Sequence, residues 1–515
     1  MKKLLKLLFS RVFLVCLMLA VQLALLGVFM QVLGDRYIYI QGILIGVRFF
    51  AVLKIINNKS NPAYKIAWLL PIVVMPIIGG IFYLVLGGNK PSRWKHKKVS
   101  RIEWQMRQSL APPKDYAPLL SAIAADDEDA ALQSRYIATS SFCPPYVNTE
   151  TEYLPSGEIK FQRMVEELKK AKHYIFLEYF IIEEGKFWNT ILNILKEKAA
   201  AGVDVRLIYD DFGCINKKLP RHYDRVLKKY GIKCCVFNPF RPFLSAVLNN
   251  RDHRKIAIID GHTGITGGIN LADEYINIGS KFGHWKDTSI LLRGEGVWSL
   301  TVMFLSMWDA LTQTEENYNH FRPYLYQDGI SRAPGIVQPY NDGPWDDKAI
   351  GENVYLNMIS RAKKYVYITT PYLILSNEIV SALQNAAESG IDVRIITPHI
   401  PDKQYVFEVT RANYEPLIER GVKIFEYKPG FIHAKTFVCD DEYATVGTIN
   451  LDYRSLYLHF ECGVWMYATP SVLDIKADFM QTQKKSVQIT AAFCKNTPWY
   501  RRLIRSVLNA FSPMM

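Results

Sequence analysis

The apolar positions of this chain follow two regimes. Near the N-terminus they run in long blocks. Val12 to Leu33 is broken only by Gln22, Gln31 and glycine, Tyr37 to Leu53 carries Arg48, and Ala67 to Leu86 contains Pro71, Pro76 and Gly79-Gly80. A helix needs about 20 such residues to cross the hydrocarbon core of a bilayer. The blocks predict a transmembrane helical anchor over residues 1–88, with two or three segments at about 12–33, 37–53 and 67–87. The second either spans with Arg48 snorkelling or lies at the interface, and the Pro and Gly of the third also fit a re-entrant hairpin. The first run is too long for a cleaved signal peptide and no small-x-small site follows it.

Past residue 150 the pattern becomes short apolar runs alternating with helical periodicity. Tyr174 to Phe180 predicts a buried strand. Trp188 to Ala201 sets Ile191, Leu192 and Leu195 at helical spacing and stops at Gly202, and Val203 to Tyr209 is again a strand. The same text returns later in the chain. Ala171-Lys-His-Tyr-Ile-Phe-Leu matches Ala362-Lys-Lys-Tyr-Val-Tyr-Ile, and Gly202-Val-Asp-Val-Arg-Leu-Ile matches Gly390-Ile-Asp-Val-Arg-Ile-Ile. This predicts an α/β fold of two fused domains, each a mixed sheet flanked by helices, related by a pseudo-twofold axis over residues 151–340 and 341–515. Residues 89–150 read as a connector, with Asp126-Asp127-Glu128-Asp129 as an acidic solvated loop.

Charge narrows the partners. The formal net charge of +13 calls for an anionic partner, nucleic acid or anionic lipid, and the anchor favours lipid. Lys2, Lys3, Lys6 and Arg11 put the N-terminus in the cytoplasm. Lys90, Arg93, Lys95, Lys97, Lys98 and Arg101 put the large domain on the same side. Two spans plus a re-entrant or interfacial segment satisfy both ends. The eight cysteines show no C-x-x-C pair and read as buried thiols. Tyr500, Arg501, Arg502 and Arg505 belong to a C-terminal stretch that reads as a terminal packing helix, with a lipid-surface contact as the other reading.

The chemistry lies in a duplicated motif. His253-Arg-Lys255-Ile-Ala-Ile-Ile-Asp260 returns as His433-Ala-Lys435-Thr-Phe-Val-Cys-Asp440, and each copy is followed in register by a small-residue pair and an Asn, Gly267-Gly268-Ile-Asn270 and Gly447-Thr448-Ile-Asn450. Two half-sites, each with an imidazole and an ammonium, suit attack on a phosphodiester without a metal. No H-E-x-x-H, P-loop or EF-hand pattern is present, so neither a metal nor a cofactor is implied. On a strand, His253 and Lys255 share a face, while Ile256 and Ile258 take the other. Asp260 and Asp440 complete the motif, but by parity they point away from the imidazoles and read as turn-fixing or salt-bridging residues. A two-residue hairpin turn at Gly261-His262 sets Asn270 opposite His253 and Gly268 opposite Lys255. A turn at Asp441-Glu442 sets Asn450 opposite His433 and Thr448 opposite Lys435. In that register Asn270, Asn450, Gly268 and Thr448 bind substrate, the glycine leaving room for a phosphate. Each imidazole needs a group to fix its tautomer, and Asp287 and Glu461, which follow the two hairpins, are the candidates. The remaining histidines, His96, His173, His222, His262, His284, His320, His399 and His459, have no copy in register and read as surface or packing residues.

These residues resemble the phospholipase D superfamily, and more closely the bacterial cardiolipin synthases. The resemblance runs from about Leu8 to the C-terminus. It includes Ala67-Trp-Leu-Leu-Pro in the anchor, Leu177-Glu178-Tyr179, Trp285-Lys-Asp287, Thr370-Pro371-Tyr372, and Asn450-Leu-Asp452-Tyr-Arg454-Ser455 leading to Phe460-Glu461. Thr448 stands where serine is usual and keeps the hydroxyl. His459 stands where asparagine is usual, beside Glu461, whose hydrogen bonds it is placed to retune.

The resemblance implies two phospholipase-D-like domains and a phosphatidyltransferase of the cell membrane, acting with no cofactor and no nucleic acid. Its substrate would be phosphatidylglycerol, two molecules of which give cardiolipin and glycerol through a phosphatidyl-histidine. His253 is expected as nucleophile and His433 as acid and base, with Lys255 and Lys435 on the phosphoryl oxygens. Three rivals remain open: a phospholipase D or other phosphatidyltransferase with a different acceptor, a nuclease of the same superfamily, and a membrane scaffold with a dead site. The sequence sets no oligomeric state.

Overall fold

The computed structural model describes residues 37–58, 61–74 and 104–514, apart from 111–115, 216–218, 221, 240–249, 280–281, 324–332 and 345–347, together with Ala24, Val28, Gly79, Gly80 and Tyr83. The chain divides into two compact units: residues 1–90 with 242–249 and 510–514, and residues 91–241 with 250–509.

In the first unit the helices Tyr37–Ile56 and Pro62–Val74 pack through Ala51, Ile55, Trp68 and Ile72, with Trp68 edge-on to Tyr83 at 5.4 Å. Phe49, Phe50, Ile66 and Val73 stay exposed. Among the described residues no helix is long and apolar enough to cross a membrane. Arg48 and Lys54 interrupt the longer helix, and the other has 13 residues. The predicted first segment, 12–33, lies outside the described residues but for Ala24 and Val28, and Cys16 lies outside them too.

The second unit holds both halves of the repeat. Its described strands, in chain order, are β1 (Thr149–Leu154), β2 (Tyr174–Tyr179), β3 (Asp204–Asp210), β4 (Lys233–Phe237), β5 (Arg251–Asp252), β6 (Lys255–Ile259), β7 (Thr263–Gly267), β8 (Ser289–Gly294), β9 (Ile336–Asp342), β10 (Tyr365–Thr369), β11 (Asp392–Pro398), β12 (Lys423–Tyr427), β13 (Thr436–Cys439), β14 (Tyr443–Gly447), β15 (His459–Tyr467) and β16 (Ser486–Ile489). One sheet has the order β1-β8-β7-β6-β2-β3-β4. The other repeats it as β9-β15-β14-β13-β10-β11-β12 and adds β16 at the edge. In each, three parallel strands joined by helices meet an antiparallel set at β6 or β13. Because β9 is the counterpart of β1, the halves part ahead of Ile336, not at residue 341.

The motif strands are buried on both faces, hence their continuous apolar text. The sheets share one core. Phe176, Ile256 and Ile258 of the first join Val438 and Val464 of the second, with the helix Val297–Thr312 and Phe479 from the helix Pro470–Lys484. Phe304 stacks on Phe176 at 4.7 Å. Fully burying side chains of this size stabilises the fold by about 1.5–3 kcal/mol each.

Two expectations change here. The acidic cluster is not a loop. The helices Ala117–Asp126 and Glu128–Ser140 meet at Asp127, whose carboxylate caps the second by accepting from the Ala130 N–H at 2.8 Å. Glu128 and Asp129 follow in its first turn, where the helix dipole favours negative charge. Leu120, Ile123, Ala130 and Ile137 join the core of the second half.

The hairpin register also differs by one residue. Ile256 faces Thr266 and Ile259 faces Thr263, so the turn holds three residues, Asp260-Gly261-His262, and Thr436 likewise faces Val446. The cause is Asp260 and Asp440, which adopt left-handed φ of 50° and 59° and so take part in the turn. Their carboxylates explain why. Asp260 accepts from the backbone N–H groups of Lys172, His173 and Tyr174, each at 2.8 Å. Asp440 accepts from those of Lys363, Lys364 and Tyr365 at 2.7–2.9 Å. Each aspartate pins the start of the neighbouring parallel strand to its own hairpin.

Removing such a carboxylate leaves its backbone N–H partners unpaired, at about 1–3 kcal/mol for one that is buried, as at Tyr365, and less for exposed ones such as Lys172 and His173. Asp440→Ala should therefore lower the thermal unfolding midpoint of the purified chain more than Asp260→Ala, because Asp440 and its partners are the more buried set. Equal midpoints in the two variants and the parent would refute this anchoring role.

Candidate active site

The two motif histidines meet at the seam between the halves, and the pairing is crossed. His253 Nδ1 lies 2.9 and 3.0 Å from the two carboxylate oxygens of Glu461, in the second half. His433 Nδ1 lies 2.6 Å from Asp287 Oδ2, in the first. The backbone sets this up. The His253 N–H donates to the carbonyl of Phe460 at 2.9 Å, and the His433 N–H donates to that of Lys286 at 2.6 Å. Each acceptor is the residue just before the carboxylate that the same imidazole binds. β5 pairs in parallel with β15 on one side, and a single bridge joins Lys286 and Ile432 on the other.

Each carboxylate is itself held. Glu461 accepts from the hydroxyls of Thr448 and Ser455, and Thr448 Oγ1 also bonds the backbone of Cys462. Asp287 accepts from the Thr288 N–H at 2.8 Å. A Cβ on Gly268 would stand 2.1 Å from Asp287 Oδ1. The room at Gly268 is therefore filled by the orienting carboxylate, which corrects the phosphate cradle expected there, and the Thr448 hydroxyl is likewise engaged with Glu461. Gly268 and Thr448 occupy matching places and each abuts the carboxylate that follows it.

The lysines complete the site. Lys255 and Lys435 are fully buried, and each Nζ donates to the backbone carbonyl of the histidine two residues earlier. Lys435 Nζ also lies 2.8 Å from His433 Nδ1. Asn270 is locked by the Ile181 N–H on its carbonyl at 3.0 Å and by donating to the Tyr275 hydroxyl at 2.8 Å. Asn450 is buried with its side-chain carbonyl unpartnered. Asp260 and Asp440, counted with the catalytic set as motif members, are spent on the backbone amides described above and do not join this cluster.

Burial governs the electrostatics. Phe180 stands edge-on to His253, and Tyr275, Trp285 and Phe431 surround His433. Desolvation, then the positive charges of Lys255 and Lys435, hold His253 well below the ordinary imidazole range. Desolvation, then Lys435, brings His433 to about 4 against the upward pull of Asp287. Desolvation lowers Lys255 to about 8 and Lys435 to about 7. The site thus presents two neutral imidazoles with their Nδ1 atoms on carboxylates and two ammoniums at the edge of their titration.

Sequence reasoning left one group unread and placed another only beside Glu461, not against His253. Ser455 belonged to the quoted motif, but nothing in its spacing foretold a bond to Glu461. His459 has no copy in register, yet its ring lies 5.4 Å from that of His253 and its Nδ1 lies 3.7 Å from Glu461. Burial lowers its pKa to about 3. His253, His459 and Glu461 bring ligand atoms within 4.8 Å of one another, a donor set that suits a metal ion among the described residues.

Comparison with known proteins decides the family. A model described as "Cardiolipin synthase, PLD-like domain" matches residues 164–278 and 355–483, and one described as "Phospholipase_D-nuclease N-terminal" matches 47–88. A cardiolipin synthase of Alkalihalophilus pseudofirmus is 36% identical over 92% of this chain and 92% of its own length. The chain belongs to the cardiolipin synthase family. An uncharacterised protein of Streptococcus mutans is 44% identical over 90% of the chain. Among solved structures, a phosphatidylserine synthase of Haemophilus influenzae shares the fold, with a TM-score of 0.55, 15% identity, and coverage of 74% of this chain and 98% of that one. Membership makes the chain a phosphatidyltransferase and its double sheet two fused phospholipase-D-like domains.

Two outcomes test the site. Gly268→Ala forces Asp287 off His433, so activity should fall about 10–100-fold with the fold kept, as for other lost supporting contacts. Unchanged turnover with a folded circular dichroism spectrum would show that Asp287 does not orient His433. In a pH profile of kcat/KM, a lysine is charged below its pKa and neutral above it. Activity should therefore decline as pH rises through about 7 and 8, where Lys435 and Lys255 discharge. A profile flat to pH 9 would remove the ammoniums from the reaction.

Proposed function

We propose that the chain condenses two phosphatidylglycerols into cardiolipin and glycerol through a phosphatidyl-histidine, with His253 as nucleophile and His433 as acid and base. The observation that carries this reading is the pair of crossed imidazole–carboxylate contacts at one seam. With its Nδ1 proton held by Glu461, His253 offers the Nε2 lone pair to phosphorus. Glu461 is fixed by two hydroxyl donors, which pre-organises this ring as the attacking one.

In the first step an Nε2–P bond forms, the P–O bond to the glycerol headgroup breaks, and His433 gives its proton to the departing oxygen. The phosphodiester arrives with a negative charge, which favours the protonated form of His433 that burial and Lys435 disfavour. In the second step the headgroup hydroxyl of another phosphatidylglycerol loses its proton to His433. Its oxygen attacks phosphorus and the N–P bond breaks. Lys255 and Lys435 stabilise the equatorial oxygens as charge redistributes in a site shielded from water. Asn450, with its unpartnered carbonyl, is the asparagine placed to meet a hydroxyl of the substrate. Gly268, Thr448, Ser455, Asp287 and Glu461 act through the imidazoles as positioning residues. Asp260 and Asp440 act through the fold.

The apolar blocks of residues 12–33 and 67–87 would hold this site against the bilayer, with the catalytic domain on the cytoplasmic side. That membrane location is where phosphatidylglycerol is concentrated, and it disfavours nucleic acid as substrate.

Incubation of the purified chain with phosphatidylglycerol alone should yield cardiolipin and glycerol in equal amounts. Phosphatidic acid as the main product would replace the lipid acceptor with water. Acid quenching during turnover should leave a phosphatidyl adduct that peptide mass spectrometry maps to His253. The adduct should accumulate in His433→Ala and vanish in His253→Ala, and the opposite pattern would exchange the two roles.

A further inference from the structure

The C-terminal helix Trp499–Ala510 is docked the wrong way round for a packing helix. At about 100° per residue, Trp499, Leu503, Val507, Tyr500 and Ile504 fall within an arc of about 140°. A helix packed on a globular body turns such an arc inward. Here these five side chains are 76, 58, 52, 50 and 50% exposed. The buried residue of the helix is Arg505, on the opposite side, whose Nε bonds Glu408 at 2.8 Å. Its guanidinium also reaches Thr497 at 3.3 Å. The polar side faces the protein and the apolar side faces out. The terminal packing helix expected from the sequence is overturned.

We propose that this helix lies in the interfacial layer of an anionic phospholipid bilayer, with Trp499, Tyr500, Leu503, Ile504 and Val507 among the acyl chains and Arg501 and Arg502 at the headgroups. The inference deepens the phosphatidylglycerol reading above and rests on it for the identity of the surface. Charge complementarity selects that occupant. The exposed Arg501 and Arg502 flank the apolar arc, no acidic residue lies on the helix, and the whole chain carries +13. Position supports it as well. Glu408, the anchor of Arg505, sits on the helix Gln404–Ala412, and Lys403 is the residue just before that helix. Lys403 contacts Tyr372 and Asp402, and its charge bears on His253. The apolar helix is therefore carried on an element that borders the active site. Seated in the bilayer, it would hold that border at the depth of the substrate's phosphates.

The test uses the full chain reconstituted in vesicles of phosphatidylglycerol mixed with dibrominated phosphatidylcholine. The fluorescence difference between the parent and Trp499→Phe isolates Trp499, and bromine should quench most of that difference. A Trp499 signal untouched by brominated lipid overturns the proposal. The variant Leu503→Gln/Val507→Gln should keep its turnover on short-chain phosphatidylglycerol dispersed in detergent and lose at least about tenfold in kcat/KM on vesicles. Equal losses on both substrates, or none on either, overturn it. So would light scattering that shows the parent as a dimer and this variant as a monomer, because the face would then belong to a second copy. If the parent makes no cardiolipin at all, the phosphatidylglycerol reading fails, while Trp499 quenching still reports the helix by itself.

Discussion

Two backbone hydrogen bonds carry the site. The amide of His253 bonds the carbonyl of Phe460, and that of His433 bonds the carbonyl of Lys286. Each bond crosses the seam between the halves and fixes the register of one half against the other. From that register follow the crossed carboxylate contacts and the burial of both lysines. Side-chain rotation about Cα–Cβ would by itself leave each carboxylate free to turn from its imidazole. The main chain limits that freedom.

Around this register the two halves solve one problem in two ways. A carboxylate must sit against an imidazole in an apolar surround, where an unpaired charge is costly. In the second half, Glu461 gathers the hydroxyls of Thr448 and Ser455. In the first, Asp287 has a shorter side chain, and the space it needs comes from the missing side chain of Gly268. The same burial depresses the imidazoles and ammoniums together. Desolvation is the largest cause for both rings and for both lysines.

Most of the architecture was legible because its signals are local. Tyr174 to Phe180 and the text after Gly202 are apolar runs bounded by breakers, and the repeat doubled the evidence for each. What escaped was set by distant or special geometry. The one-residue register shift depended on aspartates in left-handed conformations, and their reason for adopting them, the amides of Lys172 to Tyr174 and Lys363 to Tyr365, lies on another strand. Asp287 and Glu461 were found as candidates, but the sequence placed each beside its own hairpin, since nothing along the chain announces that a contact crosses the seam. His459 was unreadable by repetition because it has no twin. The helical register of Ala117 to Ser140 was available in its alanines and in Asp127 as a cap, and the charge run concealed it.

The crossing also makes each half incomplete without the other. One repeat by itself would hold an imidazole with no carboxylate and a carboxylate with no imidazole. Either half could complete both contacts only as a symmetric pair, each copy lending its carboxylate to the other's imidazole. Within one chain the two halves need not match, and Gly268 in the place of Thr448 shows that they do not, yet a change beside either carboxylate reaches the ring that it serves in the other half.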